Sequence, residues 1–412
     1  MRRVVITGIG AISPMGAGRE IFWRSILEGK PRLGRVTRFD TSSYACQIGG
    51  EVDRDCYEHL LDPRKLRSTA HATQLALAAA QLALQDGKLP TGTYAPDAFG
   101  VVVGTALGGW EDAEQQIGVL IERGARRVNP FIVSGAGNHG PGIEVAAAVG
   151  ARGAQVTFSS GCPSGLQAIG YGASLVASGV LDACLAGGTE TPLNPLTFAA
   201  LGRTQELCTS NSDPLRASRP FDRSHSGVVL SEGSCFLLLE AADAAEHRSA
   251  RQYSQVSQMA ASCDANGLYG FDPSGEAGAR AIHRLLCSNQ LDASEIDYVC
   301  AHANSSPTFD RKETFVLKRA FGEFAARLPV SSIKGVLGHP FGASGAFQTA
   351  AAALARYYGM IPPTHNLEEP DPECDLDHVP GTARSAHIRN VLVTSYGYGG
   401  VNTYLLLSSP LA

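Results

Sequence analysis

The 412-residue chain has ten cysteines yet no C-x-x-C pair, which excludes a zinc ribbon and a dithiol redox motif. It has no long run of Lys or Arg. With 34 basic against 39 acidic residues and a net charge of −5, it lacks the electrostatic footprint of a nucleic-acid binder. No stretch is long and apolar enough to span a bilayer. The opening Met1-Arg-Arg-Val-Val-Ile-Thr-Gly carries too short an apolar run for a signal peptide and reads as a strand. Several cysteines sit in apolar runs, Cys184 in LDACLAGG, Cys235 in SCFLLLE and Cys300 in DYVCAHA. Reduced, buried thiols in a cytoplasmic protein account for them. What is present is a large apolar inventory: 44% hydrophobic and 18% charged residues describe a globular protein with a substantial core, in one large domain or two ordinary ones.

Apolar runs alternate with helical patterns along the chain. Strands are predicted over 3–7, 99–104, 155–158, 183–188 and 234–240, and helices over 22–27, 66–84, 110–123 and from Pro163. Gly8-Ile9-Gly10 reads as a turn, Asn129 to Gly142 as a small-residue loop, and 218–227 as another loop. The second half repeats this order, with strands over 255–262, 296–302, 329–332, 391–395 and 403–408 and helices over 278–287 and 345–358. The expectation is an α/β protein of two similar units, residues 1–245 and 246–412, packed with helices between sheets. Buried strands alternating with helices imply mostly parallel pairing.

The stretch around Cys162 stands out. Gln155-Val-Thr-Phe is strand-like, Ser159-Ser-Gly161 punctuates, and Leu166, Ile169 and Leu175 recur at helical spacing after Pro163. This places Cys162 at the N-cap, where the helix dipole favours a thiolate and lowers the thiol pKa. Strand, tight turn, nucleophile, helix is the geometry that exposes a reactive side chain. A cysteine that merely fills the core is the plainer alternative.

Polar residues also interrupt apolar runs elsewhere. His302 follows Ile296-Asp-Tyr-Val-Cys-Ala, and Lys334 and His339 lie in SSIKGVLGHPFGASG, where glycines admit a ligand closely. SYGYGGVN (395–402) offers backbone N–H groups suited to an oxyanion, or a plain tight turn.

Together these segments resemble the β-ketoacyl-ACP synthases. VVITGIGAISPMG is similar to that family's opening strand, SSGCPSGLQAIG to its nucleophile motif, and SRPFDRSHSGVVLSEG to its R-P-F-D signature. AHANSSPTFDRKET and SSIKGVLGHPFGASGA match its two histidine motifs, and SYGYGGVN its glycine-rich tail. The resemblance implies a duplicated thiolase-type α-β-α-β-α sandwich. It implies decarboxylative condensation: Cys162 takes an acyl chain from a carrier-protein thioester, and His302 and His339 hold and activate the malonyl unit. The backbone N–H groups of Cys162 and Tyr398 would form the oxyanion hole. Lys334 would order the histidine loop, with Asp310 and Glu313 as acidic partners. No metal and no cofactor are implied. The implied partners are an acyl carrier protein with phosphopantetheine-bound acyl and malonyl groups, and a second subunit, identical or related, in a dimer.

Several positions depart from the family pattern. Asn304 and Ser306 replace threonines that commonly contact the pantetheine arm, and Gln348 replaces a glutamate. Tyr396 and Tyr398 stand where phenylalanines are usual, with hydroxyls that bind polar groups on the growing chain or only reach water. The small-residue run Ser134 to Gly137 suggests a roomier chain pocket of polyketide or polyene type. YGYGG lacks the second cysteine of a thiolase, and Lys334 with His339 favours the two-histidine type over a Cys-His-Asn starter enzyme. The competing readings are a non-elongating acyltransferase and a non-catalytic, chain-length-factor-like subunit; retention of Cys162 argues against the latter.

Overall fold

A computed structural model of the chain describes residues 1–410. In its first half come β1 Val4–Ser13, α1 His71–Asp86, β2 Phe99–Gly104, β3 Gln155–Phe158, α2 Ser164–Ala177, β4 Ala183–Glu190 and β5 Gly233–Ala241. In its second half come β6 Ser254–Cys263, α3 Glu276–Ser288, β7 Tyr298–Cys300, α4 Pro307–Phe321, β8 Val330–Ser331, α5 Ser344–Tyr358, β9 Asn390–Gly397 and β10 Val401–Ser408.

These ten strands lie in one sheet, ordered β8-β7-β9-β10-β6-β1-β5-β4-β2-β3. Counting outward from the centre, each half has its first strand, then its fifth, fourth, second and third. The repeat predicted from element order is therefore a repeat of topology. Pairing is parallel only in the outer three strands of each half, β4-β2-β3 and β9-β7-β8. From β9 through β6 and β1 to β4 it is antiparallel. Continuous apolar runs report burial on both faces, which central antiparallel strands share with parallel ones, so direction was not readable from them.

Three apolar layers separate the elements. The middle one joins Leu166, Ile169 and Ala173 of α2 to Ala346, Ala350 and Ala353 of α5. One outer layer packs α1 on β1 and β5, and the other packs α3 and α4 on the second half's strands. Alanine and glycine let α2 and α5 approach closely: a Cβ on Gly345 would lie 2.6 Å from Leu166. Gly8 and Gly10 are part of β1 rather than a turn. A Cβ on Gly10 would lie 1.9 Å from the Ala79 carbonyl of α1, so glycine here serves helix approach. The helix predicted over 66–84 is broken at Ala70, which is extended (φ −61°, ψ 153°). Gln74 closes the break by donating to the Leu66 and Thr69 carbonyls at 3.0 and 2.9 Å. The predicted loop from Asn129 holds a short helix, Ile132–Ala136.

Candidate active site

Cys162 lies between β3 and α2, in a turn whose Gly161 has φ 75°. Ser164 braces the turn, accepting from the Ser160 N–H at 2.9 Å and donating to the Gly161 carbonyl. The helix N-cap is Pro163, so Cys162 sits one residue before it, and only 4% of Cys162 is exposed. Burial pushes its thiol up to about 12, against the pull of Lys334 and with Glu190 adding to the rise. The expected lowering by the dipole is outweighed, because loss of hydration disfavours the charged form more than a helix end favours it. At rest the side chain is a thiol, and its sulfur lies 3.2 Å from His339 Nε2.

His339 belongs to the loop between β8 and α5, pinned to the first half: its N–H donates to the Val229 carbonyl at 2.8 Å. His302 follows β7, with its ring 5.4 Å from that of His339 and nearly perpendicular to it. Burial, with Lys334 second, drives both imidazoles well below their ordinary pKa, so both are neutral. Their Nδ1 atoms have no hydrogen-bond partner among the described residues, which leaves Nε2 of each as the working atom. Phe341 stacks edge-on to His339 and holds a left-handed φ of 30°, backbone strain stored beside the nucleophile.

Lys334, 1% exposed, donates to the His302 carbonyl and, at 3.4 Å, to Gln348 Oε1. Burial lowers its pKa to about 8, opposed chiefly by Glu313. The acidic partners proposed for it are engaged otherwise. Glu313 accepts from the N–H groups of His302 and Ala303 at 3.0 and 2.7 Å, and Asp310 from that of Asn304 at 2.9 Å. They shape the His302 loop rather than pair with Lys334. Gln348 explains itself: its amide nitrogen donates to the Ala301 and Thr394 carbonyls at 2.7 and 2.9 Å, bonds a carboxylate cannot make.

Asn304 and Tyr398 line the pocket over Cys162, together with Glu206, His339, Phe341 and apolar side chains. Ser306, 2% exposed, donates to Glu206 at 3.4 Å. The turn carrying Tyr398 abuts the nucleophile turn, since a Cβ on Gly397 would lie 2.8 Å from Pro163. Tyr396 is buried behind His302, and its hydroxyl meets that of Tyr404 at 3.5 Å, so it faces neither a growing chain nor water. Ser134 and Gly135 line a different cavity of about 450 Å³, with Arg67, Thr73 and His139, that does not include Cys162. The roomier pocket expected from that run is not at the thiol, where the free volume is about 10 Å³.

Glu190 escaped the sequence reading. Fully buried at the end of β4, it accepts from the Ala106, Leu107 and Gly342 N–H groups at 2.6, 3.0 and 3.0 Å and from Thr105 Oγ1 at 3.1 Å. It thereby ties the turn after β2 to the His339 loop. Burial pushes its pKa up to about 7. Nothing in AGGTE distinguishes it from a strand-end acid, because its partners come from remote backbone.

Comparison with known proteins places this geometry. Residues 1–245 match the family model of the β-ketoacyl synthase N-terminal domain, and residues 253–368 that of the C-terminal domain. The tetracenomycin polyketide synthase ketoacyl synthase alpha subunit of Streptomyces glaucescens is 38% identical over 99% of this chain and 97% of its own. The 3-oxoacyl-[acyl-carrier-protein] synthase 2 of Synechocystis is also 38% identical, over 98% and 97%. Among solved structures, a β-ketoacyl synthase of Burkholderia phymatum superposes with a TM-score of 0.91 at 29% identity over all of both chains. The ishigamide ketosynthase/chain length factor does so with 0.90 at 29%, over 99% of each. With both halves matched, the fold shared end to end and the cysteine and histidines meeting where the motifs predicted, the chain belongs to the β-ketoacyl synthase family.

Proposed function

We propose that the chain is a β-ketoacyl-acyl-carrier-protein synthase that condenses an acyl group on Cys162 with malonyl-carrier protein. The carrying observation is convergence: a buried thiol from the first half meets two neutral, buried imidazoles from the second, with sulfur to His339 Nε2 at 3.2 Å and the two rings 5.4 Å apart.

In acyl transfer, the Cys162 sulfur attacks the carrier thioester while His339 Nε2 takes its proton. The tetrahedral oxyanion would be held by the N–H groups of Cys162 and Tyr398. Collapse expels the carrier thiolate, which takes a proton from solvent, while His339 keeps the Cys162 proton on Nε2. In condensation, malonyl-carrier protein loses CO2, and the electron pair of the broken C–C bond becomes a thioester enolate. Nε2–H of His302, as that neutral tautomer, and of His339, carrying the proton from Cys162, would donate to its oxygen. The enolate carbon then attacks the acyl-Cys162 carbonyl, and the departing Cys162 thiolate takes its proton back from His339. Lys334, by fixing the His302 carbonyl and Gln348, would hold the second imidazole in register. Every group in this sequence of steps belongs to the chain or its two thioesters. The structural halves would divide at residues 245 and 246, and the setting would be cytoplasmic; no helix among the described residues is long and apolar enough to cross a membrane.

Relatives of equal identity serve polyketide and 3-oxoacyl synthesis by name, so the acyl chain is assigned no length. Intact-mass analysis with acyl- and malonyl-carrier protein tests the reading. Wild type should gain an acyl adduct and release a β-ketoacyl product, Cys162→Ala should gain none, and His302→Ala should load but not extend. An adduct on wild type without extension would replace condensation by plain acyl transfer. No adduct with any carrier would leave a non-catalytic partner subunit.

A further inference from the structure

Away from the thiol, His71, Glu111 and Glu232 bring one imidazole and two carboxylates together where three elements meet. His71 opens α1, Glu111 lies in the first turn of the helix Trp110–Arg123, and Glu232 immediately precedes β5. His71 Nδ1 is 3.3 Å from Glu111 Oε2 and 3.7 Å from Glu232 Oε1, and the three ligand atoms all lie within 4.8 Å of one another. Ligand atoms on a tetrahedral zinc ion stand about 3.4 Å apart at ordinary bond lengths. Glu232 is 0% exposed, yet among the described residues its Oε1 has no hydrogen-bond partner. The other oxygen, Oε2, is taken by Arg38 at 2.8 Å and by the Val52 N–H at 2.9 Å. An unpaired buried carboxylate oxygen is unfavourable, and a coordinated cation removes the penalty. Charge points the same way. Asp112 adds a third carboxylate, its Oδ2 accepting from the His71 N–H at 3.3 Å, so three acids gather around one guanidinium, Arg38. Arg54 acts on Glu111 only from the surface, where it pairs with Glu58.

We propose that His71 Nδ1, Glu111 and Glu232 form a binding site for one divalent transition-metal ion of the zinc class, with water completing its coordination beside Glu111, whose side chain is 13% exposed. A nitrogen ligand next to two carboxylates suits zinc, whereas magnesium and calcium take oxygen shells. Coordination leaves the ring proton on His71 Nε2. Arg38, 3.5 Å from that nitrogen, keeps Glu232 Oε2 as its acceptor. None of the three ligands lines the pocket over Cys162, so the site does not depend on which reaction the thiol carries out. The ion's role is structural. It ties two helix starts to the segment entering β5, where Ser231, beside Glu232, donates its N–H to the His339 carbonyl at 3.2 Å.

The test is calorimetric titration of ZnCl2 into the full chain after stripping with EDTA. Because the chain has ten cysteines, Cys162→Ala is titrated in parallel and cobalt(II) serves as a spectroscopic probe. Wild type and Cys162→Ala should each bind a zinc ion at this site. Glu111→Gln and His71→Gln should weaken binding by at least about tenfold, since even losing an outer partner of a metal ligand does that much. ZnCl2 should raise the Tm of wild type and leave that of Glu111→Gln unchanged. Cobalt should give weak visible bands that Glu111→Gln abolishes, without the strong near-ultraviolet absorption of thiolate ligation. Glu111→Gln, at the most exposed ligand, decides the matter should His71→Gln fail to fold. No zinc binding by wild type, binding that Glu111→Gln leaves intact, or a thiolate-type cobalt spectrum unchanged in Glu111→Gln would overturn the site.

Discussion

At Cys162 two effects oppose each other, and their magnitudes decide the resting state. A helix end contributes about 0.3–2 kcal/mol toward the anion, whereas full burial shifts pKa values by several units. The thiol is accordingly pushed up to about 12 and must hand its proton to a neighbour when it attacks. Alkylation by iodoacetamide should therefore climb steadily between pH 7 and 10. A plateau reached below pH 8 would show a low-pKa thiolate instead. Removing the relay in His339→Ala should slow acylation from a thioester by roughly 10²–10⁴-fold, the usual weight of a positioned base. Lys334 carries a stability consequence with a definite sign. Its pKa falls from 10.5 in the unfolded chain to about 8 in the fold, so between these values the unfolded state binds more protons and stability rises with pH. Urea denaturation of wild type should show that rise, and Lys334→Met should flatten it.

The elements meet the nucleophile through backbone rather than side chains. A Cβ on Gly104, the last residue of β2, would lie 2.2 Å from the Ser164 carbonyl carbon and the Gly165 nitrogen, in the first turn of α2. Gly104→Ala should push α2, and Cys162 with it, away from β2. The expected result is a loss of about 1–3 kcal/mol in urea denaturation, as in overpacked cores, together with slower Cys162 acylation. Wild-type acylation in that variant would mean that the turn does not depend on this contact. The same crossing shows what the sequence could tell. Strand and helix positions were legible because periodicity and small-residue punctuation are local properties. Cys162, His302, Lys334 and His339 were legible because each breaks an apolar or glycine-rich run. The glycines of β1 looked like a turn because a helix lying across them leaves no mark in neighbouring residues. Glu190 and Glu206 stayed hidden for a similar reason: their partners lie from 82 to 152 residues away, and an isolated acid carries no periodicity.

On the scale of the whole molecule, one face remains apolar. Ile117 and Ile121, on the helix Trp110–Arg123, are 57% and 78% exposed, and Phe131 and Val133 beside it are 74% and 83% exposed. β3, with one edge unpaired, ends the sheet in the same half. A patch of this kind marks an interface, and an open strand edge invites a second strand. Light scattering on the purified chain should give twice the monomer mass, and Ile121→Asp with Val133→Asp should return it to one. A monomeric wild type would show that two copies of this chain do not pair through that face. β10 has another consequence. It is the last of the ten strands to be synthesised, yet it lies between β6 and β9, inside the second half. A nascent chain that has emerged only as far as His339 already holds the thiol and both imidazoles but cannot complete the sheet that brings them together. Competence for chemistry therefore waits on this strand, which must slide between β6 and β9 after every residue of the site has already been made.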